Sequence, residues 1–253
     1  MLFDTHAHLN DDRFDENRFE LIESLNQNGV GAYCEIGYDI ASSKAALDLA
    51  DKYDFIYAAC GVHPHDTQNL TDDDMETLRE LLKNPKAVAL GEIGLDYYYD
   101  NSERDKQRKW FDIQLKLAAE IDKPVTIHTR DAMGDTIDIL KANKANSGII
   151  HCYSGSKESA KILLDMGYYI SFAGPLTFKN ASTALEVAAY VPDDRILIET
   201  DSPYLAPVPY RGKTNTPVYV AEVAKKLSEI RNVSFDYIAD LTFENAKKVY
   251  RIK

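Results

Sequence analysis

Short apolar runs alternate along the chain with longer segments in which apolar residues recur every three or four positions. The short runs are rich in Val, Ile and Ala and predict strands buried on both faces. The longer segments have the period of amphipathic helices. The pattern predicts eight strands, over residues 2–8, 32–37, 56–62, 87–93, 125–129, 148–152, 168–173 and 196–201.

Helices are predicted in the segments between these strands. Thr71 and Ser234 stand where an N-cap would start a helix, and Gly29 stands where a glycine would end one. The predicted helices cover residues 16–28, 103–121, 132–145, 156–166, 179–190, 216–230 and 234–250, and a further helix begins after Thr71.

Eight strand–helix units predict an α/β fold, a (β/α)8 TIM barrel of parallel strands with an extra C-terminal helix. We expect residues 1–253 to form a single domain, because α/β barrels reach about 250 residues. An open, doubly wound sheet is the alternative that periodicity does not exclude. No glycine-rich phosphate-binding loop follows a predicted strand, which argues against a nucleotide cofactor. The proline-rich segment 202–215 predicts an ordered loop over the barrel mouth.

The six histidines fall into four short clusters, and the first is the pair His6 and His8 on the first strand. Residues i and i+2 of a strand point to the same face, so this pair could bind one metal ion. A buried pair of hydrogen-bonded histidines is the alternative for an isolated His-x-His sequence.

Four other strands end in residues that commonly bind metals. Glu92 ends the fourth strand, His128 the fifth, His151 the sixth and Asp201 the eighth. In a (β/α)8 barrel the carboxyl ends of the strands meet at the active site. Burial of these groups without partners would cost several kcal/mol each, so divalent ions are the expected partners.

Four histidines and two carboxylates suit two divalent ions better than one, since catalytic ions keep open positions for water. Glu92 is the expected bridge between the ions. Asp201 is expected to bind one ion and to accept a proton from the attacking water. Such ligands accept Zn, Mn, Mg, Ni and Co alike, so the sequence does not identify the metal.

Residues beyond the strand ends are candidates for substrate binding. Arg130 could bind a phosphate oxygen or form an ion pair with Asp131 or Asp135. Tyr97, the first of three consecutive tyrosines, could stack a base or pack its loop against the barrel. The turn at 154–156 predicts a helix N-terminus whose amides could also receive a phosphate.

The chain carries 29 basic and 41 acidic residues, a net charge of −12, with 18 of the acidic and 7 of the basic residues in 1–90. This excess argues against a protein that holds DNA through many surface phosphate contacts. Cys34, Cys60 and Cys152 form no CxxC pair, and we expect buried, reduced strand residues in a cytoplasmic protein. Neither a membrane span nor a secretory signal is predicted.

Seven segments, which together span almost the whole chain, resemble the TatD family of metal-dependent deoxyribonucleases. In order, they read DTHAHL, GVHPH, GEIGLDYYY, PVTIHTRDA, HCYSGS, YISFAGPLTFKN and ETDSPYLAP. The resemblance implies a metallohydrolase barrel that cleaves phosphodiester bonds in DNA. It also implies two ions that share Glu92, with the other ligands divided between them: His6, His8 and Asp201 on one, His128 and His151 on the other.

By the same resemblance the HPH segment borders the active site. We therefore expect a catalytic or phosphate-binding role for His63, and a structural role for His65, hydrogen-bonded to the backbone. The expected substrate is DNA, single-stranded or at a terminus, with no obligate protein partner. The alternatives are a metal-dependent hydrolase of a cyclic amide, lactone or other small ester, and a DNA-binding scaffold without turnover.

Overall fold

The computed structural model describes residues 1–143 and 147–253, and its eight parallel strands form a (β/α)8 barrel. Each strand pairs with the next along the chain, and a bridge from Ala7 to Ser202 joins the last strand to the first. The predicted TIM barrel is confirmed, and the open sheet is wrong. The strands are β1 Leu2–Ala7, β2 Val30–Ile36, β3 Ile56–Cys60, β4 Ala87–Asp96, β5 Val125–Arg130, β6 Gly148–Ile150, β7 Tyr169–Phe172 and β8 Ile196–Ile198.

Helices follow the strands on the outside of the barrel, and the predicted caps are in place. The side chain of Thr71 accepts a hydrogen bond from the amide of Asp74, and that of Ser234 accepts one from Tyr237. The helices are α1 Arg18–Ser24, α2 Ile40–Ala50, α3 Asp72–Leu81, α4 Arg104–Glu120, α5 Met133–Ala142, α6 Lys157–Asp165, α7 Ser182–Tyr190, α8 Val220–Arg231 and α9 Phe235–Tyr250.

Helix α2 has no counterpart among the predicted helices. Its start carries a local signal, because Asp39 and Ser42 form a capping box. Predicted helix 16–28 is divided into α1 and a 3-10 turn that ends at Gly29, whose φ is +84°. Predicted helix 132–145 is observed as α5 up to Ala142, and its positions 144–145 lie outside the described residues.

Six of the eight strands end earlier than predicted, and β3, β6 and β8 do so by two or three residues. Strand β6 ends at Ile150 and β8 at Ile198, so His151 and Asp201 follow the strands. Asp201 has a left-handed backbone, with φ at +58°, which no regular strand contains. Cys152 also has a positive φ, so the prediction that all three cysteines are strand residues is wrong for this one. All three are free thiols, and Cys34 and Cys60 are buried.

The seam between β8 and β1 is fastened by a buried carboxyl group. Asp4 accepts hydrogen bonds from the amide and the hydroxyl of Thr200, at 2.9 and 2.5 Å. Burial raises the pKa of Asp4 to about 8, although the bonds from Thr200 oppose that shift. The seam thereby holds His6 of β1 beside Asp201, which follows β8 and donates its amide to the carbonyl of His6.

The apolar core has two layers. The larger one lies between barrel and helices and includes Ile22, Trp110 and Leu227. The smaller one takes residues from the strands, such as Phe3 and Leu197, and is completed by α9 through Ala246, Val249 and Tyr250. The hydroxyl of Tyr250 donates a hydrogen bond to the carbonyl of Thr5. Helix α9 therefore packs on the barrel near the start of β1, and the opposite end of the barrel stays free for a site.

Other buried polar side chains fix the loops that follow β1 and β3. Glu35 accepts hydrogen bonds from the amides of Leu9 and Asn10, directly after His8. Burial raises the pKa of Glu35 to about 7. Gln114 of α4 bonds to both the amide and the carbonyl of Val62, directly before His63.

No helix among residues 1–143 and 147–253 has the length and hydropathy of a membrane span.

Gly94 is required by the close pairing of β4 with β5. Its φ is +141°, and an added Cβ would lie 1.9 Å from the carbonyl oxygen of His128. We expect Gly94→Ala to lower the free energy of unfolding by at least about 2 kcal/mol, measured by denaturant titration in the presence of a chelator. Gly134→Ala is the control, because Gly134 of α5 has no atom within 4 Å of the added methyl group. Its stability should be unchanged or up to about 1 kcal/mol higher, and equal midpoints for the two variants would contradict this account.

Candidate metal centre

The carboxyl ends of the strands open into a cavity of about 860 Å³. Its wall takes residues from the ends of the eight strands or from the loops that follow them, including the 202–215 loop through Tyr204 and Leu205. His8, His63, Glu92, His128, His151 and Asp201 all line it. His6 lies just beneath this wall, beside Glu92, so the six predicted metal ligands are brought to one place.

The first group of donors consists of His6, His8, Asp201 and one oxygen of Glu92. The Nε2 atoms of His6 and His8 are 3.1 Å apart. Oε2 of Glu92 lies 3.3 Å from Nε2 of His6, and Oδ1 of Asp201 lies 3.6 Å from Nε2 of His8. His6 is fully buried and His8 nearly so.

The second group consists of His128, His151 and the other oxygen of Glu92. Nδ1 of His128 lies 3.1 Å from Nε2 of His151. Oε1 of Glu92 lies 3.1 Å from the former atom and 2.9 Å from the latter. Glu92 thus stands between the groups and presents one carboxylate oxygen to each.

The spacing of these donors fits divalent ions. Two ligand atoms that each lie 2.0–2.1 Å from one ion are about 2.8–3.0 Å apart in octahedral geometry and about 3.3–3.4 Å apart in tetrahedral geometry. Paired imidazole nitrogens at 3.1 Å, facing a carboxylate, fall within this range of spacings on both sides of Glu92. Residues of each group would hold one ion, and Glu92 would contact both.

The imidazoles around Glu92 favour its charged form. Burial would raise the pKa of this carboxyl group, but the surrounding histidines, His151 first, outweigh burial and hold the pKa well below its ordinary value. The same holds for Asp201, where burial is opposed by the hydrogen bond from His8 and by the charges of His6 and His151. Both carboxylates are therefore ionised, as metal ligands must be.

Three of the imidazoles are oriented by an outer hydrogen bond. Nδ1 of His8 lies 3.1 Å from the carbonyl of Ile36 and must donate to it, which leaves Nε2 as a lone-pair donor toward the first group. Nε2 of His128 lies 3.0 Å from a carboxylate oxygen of Asp96. Nδ1 of His151 lies 3.2 Å from Oε1 of Glu199. Such partners fix the tautomer and the direction of a metal-binding histidine.

Asp96 and Glu199 are the site residues that the sequence reasoning missed. Both are buried. Glu199 precedes Asp201 by two positions, so the i, i+2 spacing that identified His6 and His8 could have identified it. Asp96 had no such signal, because β4 extends three residues beyond its predicted end.

His65 and Tyr97 differ from their predicted roles. Nε2 of His65 bonds to Asp96 at 3.0 Å, so the prediction of a backbone partner for its side chain is wrong. Tyr97 is not among the side chains that line the cavity, and its hydroxyl donates to Asp135 at 2.6 Å. This contact corrects the prediction that Tyr97 stacks a base, since its loop-packing alternative is the observed one. Tyr99 lines the cavity instead.

Comparison with known proteins decides the family. Residues 3–251 match the family described as TatD related DNase. The chain belongs to the TatD family. It is 45% identical to the uncharacterized metal-dependent hydrolase YabD of Bacillus subtilis, over the full length of both chains.

A further relative and a solved structure extend the comparison. The chain is 30% identical to the 3'-5' ssDNA/RNA exonuclease TatD of Pectobacterium parmentieri, over 99% of this chain and all of that protein. The crystal structure of the TatD homolog YJJV from Escherichia coli superposes with a TM-score of 0.94 at 31% identity, covering 100% of this chain and 98% of the other. This TatD protein is thus a metal-dependent hydrolase.

Glu199 offers a direct test of the outer hydrogen bonds. Its Oε1 accepts from the amide of Cys152 as well as from His151. We expect Glu199→Ala to weaken metal binding about 10- to 100-fold, measured by competition with a chromophoric chelator. Glu199→Gln keeps an acceptor oxygen and should lose less. Equal affinities for wild type and Glu199→Ala would show that this contact does not orient His151.

Proposed function

We propose that this TatD protein hydrolyses phosphodiester bonds in DNA, in single strands or at ends, with two divalent ions held on either side of Glu92. One observation carries the proposal. The two carboxylate oxygens of Glu92 face separate groups of nitrogen donors, each at the spacing of ligands on one ion. Two ions close together are suited to displacement at phosphorus, because both the attacking and the leaving oxygen need stabilisation.

The proposed division of the ligands is the one that the resemblance to the TatD family implies. His6, His8 and Asp201 would hold one ion, His128 and His151 the other, and Glu92 both. Bound divalent ions would polarise the phosphoryl oxygens and make water more acidic. The Asp201 side chain is 15% exposed, against 5% for Glu92, so it is the more accessible carboxylate for accepting a proton from an attacking water.

His63 fits a role as a hydrogen-bond donor to the substrate. Its Nδ1 accepts from the amide of His65 at 3.1 Å, so Nε2 carries the proton. Burial is the largest cause that holds the pKa of His63 well below its ordinary value, so the ring is neutral. Its Nε2 lies 3.6 Å from Oε1 of Glu92. A neutral N–H at the edge of the centre is suited to contact a phosphate oxygen.

The choice of single strands or ends rests on two supports. The Pectobacterium relative is named a 3'-5' ssDNA/RNA exonuclease. The ligands also lie inside a concave mouth, which a terminus enters more easily than a phosphate in the middle of a duplex. Release of a terminal label would therefore precede internal nicking on a defined DNA. Internal nicks alone would contradict the choice.

The same assay separates this function from hydrolysis of a small ester or amide. A phosphodiester, a phosphomonoester and a lactone can be offered to one metal-loaded sample. We expect turnover of the phosphodiester to exceed that of the other two. A lactone preferred over the phosphodiester would replace the proposal, and DNA binding without turnover of any substrate would favour a scaffold.

Replacement of Asp201 tests its proposed role as proton acceptor. Asp201→Asn should lower kcat on a phosphodiester about 10²- to 10⁴-fold. Metal content per chain, measured on the same sample, separates loss of the proton acceptor from loss of an ion. Asp122→Asn is the matched control, because Asp122 also has a positive φ but bonds to Arg251. Unchanged kcat for Asp201→Asn would rule out that role.

Salt dependence tests how DNA is held. Among residues 1–143 and 147–253, Arg130 is the one Lys or Arg that lines the cavity, and the chain as a whole is acidic. We expect weak binding of single-stranded DNA without metal, with a shallow dependence on salt, because few phosphates are neutralised by side chains. The measurement is fluorescence anisotropy of a labelled oligonucleotide across a salt series. A steep dependence of affinity on salt for the metal-free protein would contradict this expectation, because it would show that many basic side chains contact the DNA.

A further inference from the structure

Arg130 differs from the other arginines near the mouth. Its guanidinium lies over the rings of Tyr98 and Tyr99, at 4.0 and 4.8 Å from their centroids. Within residues 1–143 and 147–253, no carboxylate lies within ion-pair distance of it, so neither predicted partner, Asp131 or Asp135, is used. An unpaired cation at a cavity wall of a chain with 41 acidic residues is available for an anionic ligand.

A nearby pair of the same chemistry shows the contrast. The guanidinium of Arg104 lies 4.3 Å from the centroid of the Tyr97 ring, but it also forms an ion pair with Asp100. Neither Arg104 nor Tyr97 lines the cavity. The other charged side chains of the cavity wall, apart from the proposed metal ligands and His63 and His65, are acidic: Asp11, Asp66 and Asp96. Arg130 is therefore the side chain of this wall that is suited to pair with a second phosphate of a bound DNA strand.

The position of Arg130 is fixed by the same residue that orients a metal ligand. In the β4–β5 ladder Asp96 pairs with Arg130. One oxygen of Asp96 accepts from the amides of Tyr98 and Tyr99, at 3.0 and 2.9 Å, and the other lies 3.0 Å from His128. The buried carboxylate of Asp96 thus fixes the turn at Tyr98 and Tyr99 relative to His128 of the metal centre. Arg130 lies over the rings of these two tyrosines.

We propose that Arg130, Tyr98 and Tyr99 form a nucleotide subsite for a single strand, which deepens and rests on the proposed function. Arg130 binds the phosphate next to the one that is cleaved, because Arg130 lies two residues beyond His128 and therefore about 6.6 Å further along β5. The tyrosine rings are 58% and 56% exposed and offer a stacking surface for the adjoining base. A base inside a duplex is already stacked on both faces, so this subsite selects single strands.

Binding tests the subsite apart from catalysis. The protein is metal-loaded Asp201→Asn and the probe is fluorescein-labelled hexathymidylate, followed by anisotropy across a salt series. Arg130→Gln should weaken binding at least about tenfold and reduce the salt slope by about 0.7, the value for one phosphate contact on a single strand. Tyr98→Ala with Tyr99→Ala should weaken binding about 5- to 150-fold, and the double Phe variant should bind as tightly as the parent.

Controls and kinetics complete the test. Arg104→Gln should bind the probe as tightly as the parent, and a hairpin duplex with a stem of six G·C pairs should bind more weakly than the single strand. In the wild-type background, Arg130→Gln should raise KM for the oligonucleotide more than it lowers kcat. Full binding by Arg130→Gln, equal losses in Arg104→Gln, or equal affinity for the duplex would each overturn the subsite. Absent turnover with the binding pattern intact would instead count against the proposed function.

Discussion

The carboxylate of Glu92 is buried among imidazoles at the carboxyl end of the barrel, and the surrounding structure is arranged around that constraint. A buried charge is tolerated only with close partners of opposite charge. His6 and His151 lie 3.3 and 2.9 Å from its two oxygens. The ring nitrogens of His6 and His8 face each other, and so do those of His128 and His151. Cations bound between the paired nitrogens and the carboxylate would satisfy all of these groups. A metal centre is the arrangement that meets both requirements.

The barrel supplies the rigidity that such a centre needs. Asp4 and Thr200 fasten the seam between β8 and β1, and α9 packs on the barrel through Tyr250. Around the centre, Asp96 and Glu199 fix the orientation of His128 and His151. Ligands held by packed elements and outer hydrogen bonds are preorganised for metal. The proposed nucleotide subsite depends on the same residue, since Asp96 also accepts hydrogen bonds from the amides of Tyr98 and Tyr99.

The fold and the ligand group could be predicted from the sequence, because both leave a periodic or positional signal. Strands followed by helices predicted the barrel, and polar residues at strand ends predicted the grouping of Glu92, His128 and His151. Asp96 and the contacts of Tyr97 could not be predicted in this way. Their roles depend on where β4 ends and on which side chains cross between strands, and such contacts between distant residues leave no local pattern. Arg130 was predicted at the site, but only the structure shows that no carboxylate of the described residues pairs with it.

The central claim is that Glu92 bridges two ions. It is tested most directly by a crystal structure of the metal-loaded protein with anomalous data at the absorption edge of the bound metal. We predict two anomalous peaks, about 3.5–4 Å apart, one beside each oxygen of Glu92. The first should contact His6, His8 and Asp201, and the second His128 and His151. A single peak, or two peaks of which one does not contact Glu92, would contradict the account.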